Sequence, residues 1–147
     1  TANMATLQRE LQGKPVRLVT ISVDPNYDSP AVLRNYANGF GADPEQWLFL
    51  TGDRDYVYAL LRGSFRQLVH EFTGEDRQKG YEVLHTADVL HVDAQGKIVK
   101  KYNGLDEADV TRLRRALLAE AKQLAEGRQR EREIASRWIP SPQARSQ

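Results

Sequence analysis

VRLVTISV, residues 16–23, is nearly continuous in β-branched and aliphatic side chains. A strand with one wet face alternates apolar and polar residues. An unbroken apolar run is how a strand covered on both faces reads, and such strands belong to parallel sheets flanked by helices. The run closes at Asp24-Pro25, and a loop leads to Ser29-Pro30. A serine cap with proline at the first helical position opens a helix there, and Leu33, Tyr36, Ala37 and Phe40 supply its apolar stripe. WLFL, residues 47–50, is a second short buried strand, closed by Thr51-Gly52. Two buried strands bridged by a helix make a parallel crossover and place the chain in the α/β class.

The same reading extends in both directions. Upstream, Met4, Leu7 and Leu11 lie three and four residues apart, as one face of a helix requires, and Gly13 ends it. Downstream, Asp53 caps a third helix with Tyr56, Val57, Leu60 and Leu61 facing inward, ending near Gly63. Residues 66–80 are mainly polar, carry Gly74 and Gly80, and read as an exposed loop. Residues 89–92 and 98–102 form two strands joined across Asp93-Ala94-Gln95-Gly96, where the glycine supplies the positive φ of a short bulged hairpin. A last helix starts around Asp106 with Val110, Leu113, Leu117, Ala121 and Leu124 on one face.

Composition bounds what such a chain can do. Its 147 residues suggest one domain, and 40% hydrophobic residues suffice for one core. A net charge of +1 announces no nucleic-acid partner. No apolar run is long enough to span a bilayer, and no signal-peptide pattern is present. Cysteine is absent, which removes disulfides, thiolate nucleophiles and cysteine-ligated metal from what these residues do alone. After Gly127 the composition shifts to five Arg against two Glu, a local charge of +3. The expected organisation is a domain over residues 1–126 and a charged tail over 127–147, a frayed helix passing into disorder or onto a partner.

The element order is thus α, β, α, β, α, a β-hairpin and a final α. That is the thioredoxin-like order, with a peroxiredoxin-like elaboration: a central mixed sheet flanked by helices, lacking its first strand. In that fold the opening strand lies between the strands of residues 16–23 and 89–92. Without it two buried strand edges face each other with unpaired backbone groups. A helix opening at Thr1 with no leading strand is the expectation for a fragment or a trimmed chain, one unstable by itself.

Three stretches carry a family resemblance: ISVDPNYDSP (residues 21–30), YANGFGADPEQWLFLTG (36–52) and LHTADVLHVDAQGKIVKKYNG (84–104). Together, in this order and spacing, they resemble the SCO/SenC family of thioredoxin-fold proteins, which bind copper and help assemble the copper centre of cytochrome c oxidase. The resemblance covers roughly residues 1–120. It implies copper, as Cu(I) or Cu(II), held by a CxxxC pair and a distant histidine. That histidine corresponds to His85, and the family's DxxxD element to Asp24 and Asp28, carboxylates that would steady the ligands from the same rim. TANMATLQREL (residues 1–11) resembles the helix that follows the CxxxC motif, so the two cysteines would lie just upstream of Thr1. Two thiolates and one imidazole suit Cu(I), and imidazole also accommodates Cu(II). The resemblance further implies the copper-site subunit of cytochrome c oxidase as partner and an extracytoplasmic protein, facing the periplasm or the intermembrane space. It also implies a membrane tether, which would lie outside these residues.

Each residue also has a plainer reading. A lone histidine ahead of a strand, as His85 is on its own, is more often a hydrogen-bonded rim group than a ligand. His91, between Leu90 and Val92, reads as structural, and His70 as exposed; the three histidines have no metal-pair spacing. Asp24 ahead of proline can simply end a strand, and Asp28 can simply help start a helix. Thr51-Gly52-Asp53 reads as turn and cap chemistry. Tyr36, Tyr56 and Tyr58 read as core or rim residues, the charged run of residues 126–132 as a solvated face. The apolar pair Trp138-Ile139 within the tail is a candidate docking element. Two other function classes stay open: a thiol–disulfide or peroxide-reducing enzyme of the wider thioredoxin group, and a cysteine-free thioredoxin-like module that only binds partners. The sequence preceding Thr1 discriminates them: CxxxC for the chaperone, CxxC for a disulfide oxidoreductase, a single Cys with a Thr three positions earlier for a peroxiredoxin, no cysteine for the module.

Overall fold

The structure, a computed structural model, describes residues 1–76 and 82–138. Helix α1 (Ala2–Glu10) leads to strand β1 (Leu18–Ile21), helix α2 (Pro30–Gly39) and strand β2 (Trp47–Leu50). Helix α3 (Arg54–Ala59) continues into a π-helical turn (Leu60–Ser64). Strands β3 (Val69–Glu71), β4 (Val83–His85), β5 (Asp88–Val92) and β6 (Ile98–Asn103) follow, with a 3-10 turn (Gly74–Asp76) after β3, and helix α4 (Glu107–Trp138) is the last described element.

Local chemistry sets the boundaries. Ser29 accepts the Val32 N–H at 3.3 Å with Pro30 in the first turn of α2, and Asp53 accepts the Tyr56 N–H at 2.9 Å to open α3. Gly96 takes φ +82° in the β5–β6 turn, where Asp93 also accepts the N–H groups of Gln95 and Lys97. Strands β1 and β2 pair in parallel, with Leu18 opposite Trp47 and Ile21 opposite Leu50. Strands β5 and β6 pair antiparallel with an irregularity at His91/Val92. The fold is mixed α/β, as expected.

Packing divides about β1. Leu18 joins Leu7 and Leu11 of α1, Trp47 of β2, Tyr102 of β6 and Leu113 and Leu117 of α4 in the main core. Three positions further along, and so on the opposite face of the strand, Ile21 packs against Val57, Tyr58, Leu61 and Val69. Trp47 is 1% exposed, and its indole N–H donates to Thr20 Oγ1 at 3.0 Å, so the largest core side chain is buried with its polar atom satisfied.

Several expectations need correction. The segment 66–80 is expected as loop, but among its described residues β3 forms and pairs antiparallel with β4, Val69 opposite His85. Three-residue strands are too short to display a period, so the sequence pattern gave no signal for them. Val19, expected inside a strand covered on both faces, is 47% exposed because it opens onto the cleft described below. Tyr56, expected to face inward, is 72% exposed, and Tyr58 takes the buried place. Apart from these corrections, helix α4 runs through Gly127 to Trp138, with pairs such as Lys122–Glu126 along its exposed face. Gly80, Ile139 and the Trp138 side chain lie outside the described residues.

Two tests follow from this packing. A Cβ on Gly104 would sit 2.8 Å from the Ala87 carbonyl oxygen and 3.1 Å from a Val89 methyl, both rigidly held. Gly104→Ala should therefore lower stability by about 1–3 kcal/mol, read from the urea midpoint. At the start of α4 the Asp109 carboxylate accepts the Asn103 N–H at 2.9 Å and pairs with Arg112, which together hold its carboxyl below the usual value, the backbone bond contributing most. A depressed carboxyl stabilises the fold above the ordinary carboxylate range and loses that contribution as pH falls through its folded value. Asp109→Asn should flatten this acid limb in a pH series of melting temperatures.

Candidate functional site

A cleft of about 1940 Å³ separates β1 from β5. Among the described residues each of these strands has a single hydrogen-bonded partner, β2 and β6 respectively. Leu18 and Ser22 donate their N–H groups toward β2, at 2.8 and 2.9 Å. Backbone groups alternate along a strand, so those of Val19 and Ile21 point the other way, into the cleft. On the facing side Gly104 donates to the Ala87 carbonyl and Asp93 to that of Lys97, which turns Asp88 and Leu90 away from β6. The walls between are apolar, with Leu7, Leu113, Leu117 and Leu124 among them.

His85 and Asp28 both line this cleft, together with Thr1, Tyr27 and Tyr36; Asp24 does not. The Asp24–Asp28 loop is built on Ser22, a buried residue just past β1. Its hydroxyl donates to Asp28 Oδ2 at 2.6 Å and accepts the Asp24 N–H at 3.0 Å. The Asp24 carbonyl in turn accepts the N–H groups of Tyr27 and Asp28. Asp28 thus has a geometric task, and the sequence reading missed Ser22, whose signal was a lone hydroxyl between an apolar strand and an aspartate. Tyr58 steadies the same loop by donating its hydroxyl to the Val23 carbonyl at 3.0 Å. Burial, with the Glu71 carboxylate adding to it, pushes that phenol above its ordinary value, so it remains a donor at neutral pH.

His85 ends β4 with its side chain exposed. Its Nδ1 lies 2.8 Å from the Thr86 carbonyl oxygen. A carbonyl only accepts, so in the neutral ring Nδ1 carries the proton and Nε2 keeps its lone pair. The other histidines are differently engaged: His91 also borders the cleft, and His70 does not. His91 is buried and bound through Nε2 to Glu120 at 2.8 Å, tying β5 to α4; His70 is exposed against the edge of Phe72. Asp53 caps α3, in line with the turn-and-cap reading of residues 51–53. Tyr36 bonds Thr1 Oγ1 at 2.6 Å and stacks near Phe40 and Phe49.

The donor set is incomplete for a metal. The chain has no cysteine, and among the described residues no group of three or more His, Cys, Asp or Glu side chains gathers. His85 offers one imidazole nitrogen, which by itself does not make a copper site. Among the described residues no helix is long and apolar enough to cross a membrane.

Comparison with known proteins gives a consistent picture. The SCO1/SenC family model matches residues 1–118. The SCO1 protein homolog of Bacillus subtilis is 33% identical over 109 residues, 72% of this chain; the chain spans 54% of that relative's length. The crystal structure of a SCO1/SenC family lipoprotein from Bacillus anthracis superposes with a TM-score of 0.68 at 30% identity, over 84% of this chain and 70% of the other. Arabidopsis thaliana ScoI, solved with copper bound, superposes with a TM-score of 0.65 at 25% identity, over 83% and 73%.

The loop geometry has its own test. Ser22→Ala leaves the Asp24 N–H and the Asp28 carboxylate without their shared partner, an expected cost of about 1–3 kcal/mol. Chemical denaturation measures the loss, and amide exchange at residues 24–28 should rise with it.

Proposed function

Because this chain belongs to the SCO1/SenC family, we propose that it is the copper-handling domain of a metallochaperone for the copper centre of cytochrome c oxidase. The observation that carries the reading is His85: like Asp28 it lines the cleft, and its Nδ1 contact leaves Nε2 unprotonated in the neutral ring. Copper is the cargo, and the imidazole supplies one of its donors. Two thiolates from a CxxxC segment outside these residues supply the rest, a soft set suited to Cu(I). Asp28, fixed by Ser22, keeps the opposing loop in place.

The cleft supports the companion part of the proposal. An additional strand entering beside Thr1 would pair with the free edges at Val19 and Ile21 on one side and Asp88 and Leu90 on the other. It would cover the apolar walls and bring its carboxyl end toward His85, at the rim where open α/β sheets gather ligands. The protein is read as extracytoplasmic and membrane-tethered, a reading supported by the description of the Bacillus anthracis relative as a lipoprotein.

Cu(I) titration of the intact protein tests this. His85→Ala should weaken binding by more than the roughly 10- to 100-fold that loss of an outer-shell partner costs. Unchanged affinity would sink the assignment of His85 and the function built on it.

A further inference from the structure

Between α3 and β3 the backbone departs twice from regular geometry. The helix widens into the π-helical turn Leu60–Ser64, closed by the Phe65 N–H on the Leu60 carbonyl at 3.1 Å. Two residues later Arg66 takes φ +51°, the one non-glycine residue with positive φ among those described. Both conformations are disfavoured, and they persist where surrounding contacts require them. Their joint effect is on Gln67, which leaves the turn with its N–H on the Leu61 carbonyl at 2.8 Å.

The Gln67 side chain is spent on two contacts. Its Nε2 donates to the Phe65 carbonyl at 2.9 Å. A carbonyl accepts only, so this contact fixes the amide's orientation and leaves Oε1 facing Thr86, whose hydroxyl donates to it. Thr86 is also held through its backbone N–H on the Leu68 carbonyl at 3.3 Å. The next bond in the series is the one from His85 Nδ1 to the Thr86 carbonyl. Arg54 of α3, paired with Glu71 at 2.7 Å, and Arg62 of the π-helical turn, bonded to the Val69 carbonyl at 2.8 Å, fasten β3 to this segment.

We propose that Gln67 is a positioning residue for His85: by clamping Thr86 it holds the carbonyl that keeps the proton on Nδ1 and leaves Nε2 free to donate. The inference rests on the reading of His85 as a copper donor, and it adds a residue distant in sequence that readies the donor before any metal arrives. Gln67 touches neither cargo nor ligand; it acts through Thr86.

The test is made without metal. In the isotopically labelled intact protein, with copper withheld and the pH held above the ordinary histidine value of ~6.5, long-range proton–nitrogen NMR reads the tautomer of each ring. His85 should favour the Nδ1–H form. In Gln67→Ala the ratio of that form to the other should fall by roughly fivefold, the factor that one net hydrogen bond of ~1 kcal/mol carries. The His70 ring should not respond. Thr86→Val removes the same link from the other side and serves if Gln67→Ala fails to fold. An unchanged ratio in a folded variant, or a native His85 in the opposite tautomer, would overturn the proposal. Copper affinity is measured separately, so failure of the proposed function and failure of this inference give different results.

Discussion

Setting Leu18 against Trp47 in parallel register is the constraint on which the rest of the molecule depends. Strand side chains alternate with period two, so a slip of one residue would exchange the faces of β1. Leu18 would leave the core it shares with α1 and α4, and Ile21 would leave the cluster under α3. With the register held, both cores form at once and Ser22 falls at the strand end, where its hydroxyl organises the Asp24–Asp28 loop. The indole bond from Trp47 to Thr20 locks the same pair of strands from the side.

The cleft rim is supported from three directions that share little chain. The loop after β1 hangs on Ser22 and on the Tyr58 hydroxyl. The β3–β4 ribbon hangs on α3 and the π-helical turn through Arg54 and Arg62, whose guanidinium groups also sit 4.8 and 5.0 Å from the Tyr58 ring. The end of α1 facing β6 hangs on Asn3, whose amide donates to the Gly104 carbonyl at 2.8 Å. Tyr58 therefore touches two of the three supports, which accounts for its burial in place of Tyr56. Among the described residues the His85 ring is held by its bond to the Thr86 carbonyl, so its readiness as a donor depends on neighbours that are better held than it is.

Membership of the SCO1/SenC family and the donor inventory pull in different directions, and chemistry reconciles them. A family relative is solved with copper, yet this chain brings one imidazole and no thiolate. One nitrogen does not satisfy copper; in the proposed reading a further strand pairs with the strand edges that border the apolar cleft and completes the donor set. Soft donors carried on such a strand would meet the imidazole only when strand pairing is in place. In the proposed reading, metal binding and sheet completion are thereby coupled.

The sequence by itself determined the α/β class, the crossover from β1 through α2 to β2, the β5–β6 hairpin and the caps at Ser29 and Asp53, because these follow from side-chain period and from local hydrogen bonding. It also marked His85, Asp24 and Asp28, through their place in two of the three matched stretches. Tertiary structure alone decided that Asp28 and His85 line one cleft while Asp24 does not, because that depends on how the loop folds over Ser22. It alone decided the β3–β4 pair, whose strands are three residues long and exist because Val69 finds a place under α3. The choice of Tyr58 over Tyr56 for the interior was likewise out of reach, since both fit a helical stripe and only the position of Val23 and the two arginines separates them. Gln67 was unreadable for the same reason: its partner lies 19 residues away, across a turn whose left-handed Arg66 no local preference foretells.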